Sequence, residues 1–246
     1  MLKSCYILRR SPDSEKWVFK KIPRTNNAIL STRMMDLIHP DINQYLDALL
    51  PERHVKLLEM EKLAAERNFP IVGPQAGRVL YQYVKLTGAR RVFEMGSGFG
   101  YSAFWLALAL PEDGELICTE ASQNNVDLAE DYLKVAGLLR KVKLKTGDAL
   151  KLLQNTEGPF DLIFNDVDKE DYPRALEIAF TKLRPGGVLI SDNALFHGRV
   201  TQGNPDRSTR GIIAYNEAVF NSNDWWTTIL PVRDGLAVSW KIVANE

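Results

Sequence analysis

"RVFEMGSGFGYSAFWLALAL", residues 91–110, decides the fold. Its first five residues are a short run holding Val92, Phe93 and Met95, the composition of a strand. Gly96, Gly98 and Gly100 follow within five positions, and they permit a tight turn whose backbone can approach a ligand closely. From Tyr101 to Leu110 the chain is apolar and free of Gly and Pro, as a buried helix requires. Strand, glycine turn and helix form one β–α unit.

The same grammar repeats downstream. "ELICTE" (115–120) precedes a helix over 122–136 that stops at Gly137, and "VKLKTG" (142–147) precedes a short helix near 149–154. "FDLIFN" (160–165) precedes a helix over 172–183. "GVLISD" (187–192) leads through a polar loop to a helix near 208–221. Strand-then-helix units in series predict a parallel sheet covered on both faces. "WWTTILPV" and "GLAVSWKIV" read as two closing strands joined by the turn Arg233-Asp234-Gly235, so the sheet should end in an antiparallel hairpin.

Upstream the period is helical. From about residue 41, Ile42, Tyr45, Leu46, Leu49 and Leu50 share one face until Pro51. A second helix is expected to turn Val55, Leu58 and Leu63 inward, and a third runs from about 75 to 87, ending at Gly88. The expectation is a doubly wound α/β domain of seven strands with an N-terminal helical annex. Its ligands should sit beyond the carboxyl ends of the strands.

The bulk numbers fit a soluble globule with a real core. Of 246 residues, 45% are hydrophobic and 25% charged. Lys and Arg number 31, as do Asp and Glu, and zero net charge argues against a broad nucleic-acid surface. Two distant cysteines, Cys5 and Cys118, imply neither a disulfide framework nor a zinc site, and a reducing cytoplasm is expected. The longest apolar run is too short to span a bilayer, so no membrane partner is expected. Residues 1–33 stand apart: Lys3, Arg9, Arg10, Lys16, Lys20, Lys21 and Arg24 face only Asp13 and Glu15 before residue 25. They read as a basic N-terminal arm or extension before a single domain over 34–246. A transit peptide fits less well because the segment carries acids, and binding to an acidic partner is a third reading.

The glycine turn alone suggests a dinucleotide site, but Tyr101 occupies the last glycine's place in G-x-G-x-x-G, which disfavours a nicotinamide cofactor. Glu94 would repel a pyrophosphate and welcome a cationic or zwitterionic ligand. Glu120 ends the second strand, where an acid can accept hydrogen bonds from a ribose diol or cap the next helix. Asp148 can cap a helix or accept from an adenine amino group.

"FDLIFNDVDKEDYP" (160–173) runs from an apolar strand into Asp166, Asp168, Lys169, Glu170 and Asp171. Carboxylates this close repel and resist burial unless a cation offsets them. Asp192 and Asn193 end the next strand of the sequence. Adjacent strands lie ~4.8 Å apart, so Asp166, Asp192 and Asn193 can converge as hard ligands for a divalent ion such as Mg²⁺. Either aspartate could instead cap a loop. Lys169, three residues after Asp166, can serve as a base beside a cation or pair with a neighbouring acid on the surface. His39, His54 and His197 lack zinc spacing, and His197 could line a substrate pocket.

From about Asp41 to Lys241 the chain resembles the cation-dependent class I O-methyltransferases, the group of catechol and caffeoyl-CoA O-methyltransferases and their bacterial relatives. "FEMGSGFGYSA", "TEASQNNVDLAEDYL", "GDALKLL", "FDLIFNDVDKEDY", "LRPGGVLISDNALFHGRV" and "PVRDGLAVSWK" carry the resemblance, in that order and spacing. It implies a Rossmann-like fold and S-adenosylmethionine as methyl donor. By position, Val72, Glu94, Gly96, Ser97, Ser102, Glu120, Ala149 and Asp168 look like donor contacts. Asp166, Asp192 and Asn193 look like ligands of Mg²⁺, with Mn²⁺ or Ca²⁺ as alternatives, and Lys169 matches the general base of the catechol enzymes. His197 stands where the plant enzymes carry a substrate-contacting Asn. The acceptor implied is a small aromatic vicinal diol, with a hydroxylated uridine of tRNA as the rival. A non-catalytic nucleotide-binding module is the alternative of another class, and a homodimer is expected.

Overall fold

The computed structural model describes residues 6–10, 17–21 and 37–243. The chain divides into two compact units, Met1–Arg33 and Met34–Glu246. In the first, β1 (Tyr6–Arg10) and β2 (Trp17–Lys21) pair antiparallel, from Tyr6 opposite Lys21 to Arg10 opposite Trp17. The sequence reading placed no strand there, and the rest of the expected basic arm lies outside the described residues.

The second unit starts with α1 (Pro40–Ala48), α2 (Val55–Arg67) and α3 (Gly73–Leu86). The rings of His39 and His54 accept hydrogen bonds from the amides of Asp41 and Lys56, so two of the three histidines are helix caps. The inward face of α2 differs from expectation. Leu57, Met60 and Ala64 are buried, while Val55 and Leu58 are 59% and 42% exposed. The cap at His54 fixes the helix phase, and the 57/60/64 stripe, three and four residues apart, turns to the core. Leu63 is partly buried, as expected. Ile42 and Tyr45 of α1 and Leu49 at its C-terminal cap are exposed.

The alternation then follows. In order come β3 (Arg91–Met95), α4 (Tyr101–Ala109), β4 (Glu115–Glu120), α5 (Gln123–Val135), β5 (Val142–Thr146), α6 (Ala149–Asn155), β6 (Phe160–Asn165), α7 (Tyr172–Lys182), β7 (Leu183–Ser191), α8 (Arg207–Asn221), β8 (Trp225–Leu230) and β9 (Leu236–Lys241). The seven-stranded sheet has the order β5-β4-β3-β6-β7-β9-β8. Its first five strands are mutually parallel, and β9 runs antiparallel to both β7 and β8. β7 starts at Leu183, before the expected residue 187, because Leu183 pairs with Phe160 ahead of a register irregularity.

Strand residues alternate between two cores. Val92, Leu116, Leu162, Phe164 and Val188 face one layer with residues of α2 to α5, and Phe93, Ile117, Ile163 and Leu189 face the other with α6 to α8. Both faces are therefore covered, as parallel sheets require. At the edge, β5 carries Lys143 and Lys145, charges that discourage further strand pairing. After β5 the chain returns to the far side of β3 to form β6, so a topological switch point falls between β3 and β6. The glycine turn and Asp166 both stand there.

Candidate functional site

The site is built from the ends of four strands. Met95 and Asn165 are paired across β3 and β6, as are Asn165 and Ser191 across β6 and β7. The amide of Asp166 donates to the Met95 carbonyl (2.9 Å), and that of Asp192 donates to the Asn165 carbonyl (3.0 Å). Each aspartate thus continues its strand's ladder by one residue, which fixes the two side by side beyond the sheet.

Gly96 opens the turn after β3 with φ +83°, and a Cβ there would stand 2.5 Å from the Asp166 carbonyl oxygen. Only glycine lets the two strand ends approach so closely. Beyond it lies a cavity of about 420 Å³ lined by the glycine turn, Val72, Ser102, Glu120 and the 166–170 segment. Its size suits a nucleoside-sized ligand. Of the expected donor contacts, Val72, Gly96, Ser97, Ser102, Glu120 and Asp168 share this lining. The Ser97 hydroxyl is buried without a hydrogen-bond partner.

Glu120 does more than face the cavity. Its Oε2 accepts from the Gly98 amide (3.0 Å), and its Oε1 accepts from the Ser122 amide (2.9 Å) and the Asn125 side chain (3.2 Å). One carboxylate therefore ties the glycine turn to the start of α5 while lining the cavity. Tyr101 at the head of α4 donates to Glu61 of α2 (2.7 Å), which also receives the Arg53 guanidinium (2.8 Å).

Glu94 and the pair Asp148–Ala149 stand outside the lining. Glu94 is fully buried behind the turn, opposite Cys118 on β4, and both its oxygens lack partners. Burial pushes its carboxyl up to about 7. Asp148 caps α6, accepting from the Lys151 amide (3.0 Å), and that bond lowers its carboxyl below the usual range.

Asp166 and Asp192 stand together, with partners the sequence did not reveal. Lys169 Nζ donates to Asp166 Oδ1 (2.7 Å) and reaches the Val167 carbonyl and the Tyr172 hydroxyl. Arg233, in the β8–β9 turn, places Nη1 3.8 Å from Asp192 Oδ2. Asp192 Oδ1 is buried with no partner at all. Desolvation and then repulsion from Asp166 push the Asp192 carboxyl up to about 7. Asp166 is raised too, by desolvation opposed by Lys169.

The donor set fits a small hard cation. An orphaned carboxylate oxygen, a neighbouring carboxylate and the amide oxygen of Asn193 are the hard oxygen ligands such a cation takes. Among the described residues no group of three or more His, Cys, Asp or Glu is gathered to hold a metal ion. Two carboxylates and one amide would need water or substrate oxygens to complete the shell.

His197 lies in a loop after β7 where Asn193, Phe196 and His197 all have positive φ, at 54°, 43° and 52°. Its ring is 3.5 Å from Asp234. Arg233 and Asp234 were read only as a hairpin turn. Nothing in their spacing indicates that β9 inserts beside β7 and carries the turn to the acid cluster.

The family model for O-methyltransferase matches residues 49–242. A catechol O-methyltransferase of Niastella koreensis is 33% identical over 84% of this chain and 99% of its own. A caffeoyl-CoA O-methyltransferase of Arabidopsis thaliana is 29% identical over 82% of this chain and 85% of its own. Among solved structures, the O-methyltransferase from Bacillus cereus in complex with SAH superposes with a TM-score of 0.75 at 32% identity, covering 82% of this chain and 97% of that one. The O-methyltransferase TomG from Streptomyces achromogenes, in complex with SAM, does so with a TM-score of 0.75 at 29% identity, over 82% and 96%.

Proposed function

The chain belongs to the O-methyltransferase family, and from that premise we propose that it moves the methyl group of S-adenosylmethionine to one hydroxyl of a small aromatic vicinal diol, with a divalent cation at Asp166, Asp192 and Asn193. One observation carries the reading: two strand-end aspartates side by side, one with an orphaned buried oxygen, next to a lysine and a glycine-turn cavity. The catechol and caffeoyl-CoA O-methyltransferases among the relatives support the acceptor class.

The chain's own residues divide the work. Glu120 holds the glycine turn in shape and offers its remaining acceptor capacity to a ribose diol. Ser97, Ser102 and Asp168 supply polar contacts along the cavity, and Val72 an apolar wall. Glu94, buried behind the turn, and Asp148 and Ala149 at the neighbouring strand end lie outside the lining and are given no direct contact with the donor. Asp166, Asp192 and Asn193 would hold Mg²⁺, with Mn²⁺ or Ca²⁺ as substitutes, and His197 borders the acceptor. When bound, such an ion supplies Lewis acidity toward the acceptor oxygens. In the transfer, the acceptor oxygen forms a bond to the methyl carbon as the sulfur–carbon bond breaks. The sulfur keeps the electron pair, and Lys169 in its amine form takes the hydroxyl proton. Positioning the two reactants in line supplies much of the rate.

A donor labelled in its methyl group, offered with catechols and separately with hypomethylated tRNA, tests the reading. Catechols should be methylated, chelator should stop the reaction, and Mg²⁺ or Mn²⁺ should restore it. Full activity in chelator would remove the cation, and label entering tRNA alone would replace the acceptor. The exposed Ile42, Tyr45 and Leu49 of α1 and its C-terminal cap support a homodimer, which light scattering would reveal as twice the chain mass. No helix among the described residues is long and apolar enough to cross a membrane. The buried free thiol of Cys118 fits a reducing cytoplasm, where we place the enzyme. Residues 1–33 are read as an appendage to a catalytic domain over 34–246.

A further inference from the structure

The turn between β8 and β9 carries a carboxylate that neither the donor site nor the acid cluster accounts for. Asp234 is 2% exposed, yet it sits at the tip of a hairpin. Both its oxygens are in use. Oδ1 accepts the backbone amide of His197, and Oδ2 accepts the side-chain amide of Asn193 at 3.0 Å. Its backbone joins in: the Asp234 carbonyl accepts the Leu195 amide (3.0 Å), and the Gly235 carbonyl accepts the Ala194 amide (2.8 Å). Gly235 has φ +89°, and a Cβ there would meet Leu195 Cγ at 2.6 Å. The loop from Asn193 to His197 is thereby pinned to the hairpin. Its three left-handed residues, in a conformation that costs non-glycine residues, persist because this framework over-determines them.

The chemistry of that contact is directional. A carboxylate can only accept, so the Asn193 atom facing Asp234 must be the nitrogen. The amide oxygen then points away from Asp234. A free asparagine could turn either end toward its neighbours, and the nitrogen end repels a cation.

We propose that Asp234 is a positioning residue for the cation site: by holding the Asn193 nitrogen, it presents the Asn193 oxygen as the third ligand beside Asp166 and Asp192. The inference rests on the cation reading given above. It extends that reading to a residue about 40 positions further along the chain, with no ligand role of its own. His197 is fixed by the same carboxylate, so the acceptor-side loop and the third ligand share one anchor.

Asp234→Asn separates this role from simple packing. The shape is kept, but one oxygen becomes an NH₂. The His197 amide belongs to the backbone and cannot turn, so it keeps the remaining oxygen. Asn193 must then rotate, offering its oxygen to residue 234 and its nitrogen to the acids. Outer-shell partners of metal ligands typically change affinity 10–100-fold when lost. The experiment measures Mn²⁺ binding by electron paramagnetic resonance and calorimetry on the full chain, with S-adenosylmethionine affinity in chelator as the internal control.

Wild-type protein should bind Mn²⁺. Asp234→Asn should bind it 10–100-fold more weakly, with donor affinity and unfolding midpoint unchanged. In an Asn193→Ala background the same substitution should change Mn²⁺ affinity less than threefold, since the group through which it acts is gone. No binding by wild type overturns the cation reading and the inference with it. Wild-type binding matched by Asp234→Asn overturns the inference alone, as does an undiminished loss in the Asn193→Ala background. Should Asp234→Asn fail to fold, Asn193→Asp decides. It adds a formal charge to the ligand set but has no hydrogen to give Asp234, so Mn²⁺ should bind no more tightly than to wild type. Tighter binding would overturn the proposal.

Discussion

Asp192→Asn should stabilise the protein in the absence of divalent ions while removing its response to them. The side chain is 2% exposed, one oxygen is without a partner, and Asp166 stands beside it. Its carboxyl is pushed from the ordinary 3.8 up to about 7, roughly 3 pH units at ~1.4 kcal/mol each, so ionising it in the fold costs on the order of 4 kcal/mol. The sign follows from proton counting. Between pH 4 and 7 the folded protein keeps a proton that the unfolded chain has released, so stability falls as pH rises. Below pH 4 both states hold the proton and the group contributes nothing to the slope. Asparagine has no such titration. It loses only the long contact to a 40%-exposed Arg233, a minor term at the surface. The variant should therefore match wild type near pH 4 and exceed it by about 2–4 kcal/mol at pH 8. Urea denaturation in chelator across that range measures the difference. Adding Mg²⁺ at 100 times its Kd should return ~2.7 kcal/mol to wild type and almost nothing to the variant. A constant offset between the two proteins from pH 4 to 8 would refute the argument, because it would mean that Asp192 carries no electrostatic penalty in the fold.

Three further outcomes follow from the site. Lys169→Ala should lower turnover by about 10²–10⁴, the range for a general base, with donor affinity unchanged in calorimetry; the deficit should shrink with a more acidic catechol. Glu120→Ala removes the tie between the Gly98 amide and α5, and should weaken S-adenosylmethionine binding by roughly 1.5–3 kcal/mol in the same assay. Gly96→Ala should abolish donor binding before it unfolds the domain, since its Cβ would drive the turn off the Asp166 carbonyl; donor affinity within twofold of wild type would show that the turn tolerates the shift.

Much of this was legible in the sequence because it rests on local signals. Glycines after a strand, an acid at a strand end and a polar break in an apolar run announce themselves within ten residues. Val92 and Phe93, neighbours on β3, point to opposite cores. The face of α2 was misread because its phase is set by the cap at His54, and a wide mixed stripe admits more than one inward side. The partners of the acid cluster were hidden for a different reason. Arg233 reaches Asp192 only because β9 inserts between β7 and β8, and strand order across a hairpin leaves no trace in spacing. Glu94 was read as facing the ligand from its position beside the glycines, but strand alternation turns it inward, toward Cys118 and α4.

That insertion also orders events during synthesis. β8 is made before β9, yet it pairs only with β9, and β9 pairs with β7. While the chain is still emerging from the ribosome, β8 has no strand to join and β7 has an open edge. The Arg233–Asp234 turn can reach the aspartates only when β9 docks. A chain that stops before β9 would present finished strand ends and a cavity without the docked Arg233–Asp234 turn beside its aspartates. Docking of β9 and placement of the Arg233–Asp234 turn are thus nearly one event, and products terminated before β9 are marked by an exposed strand edge that chaperones and proteases can recognise.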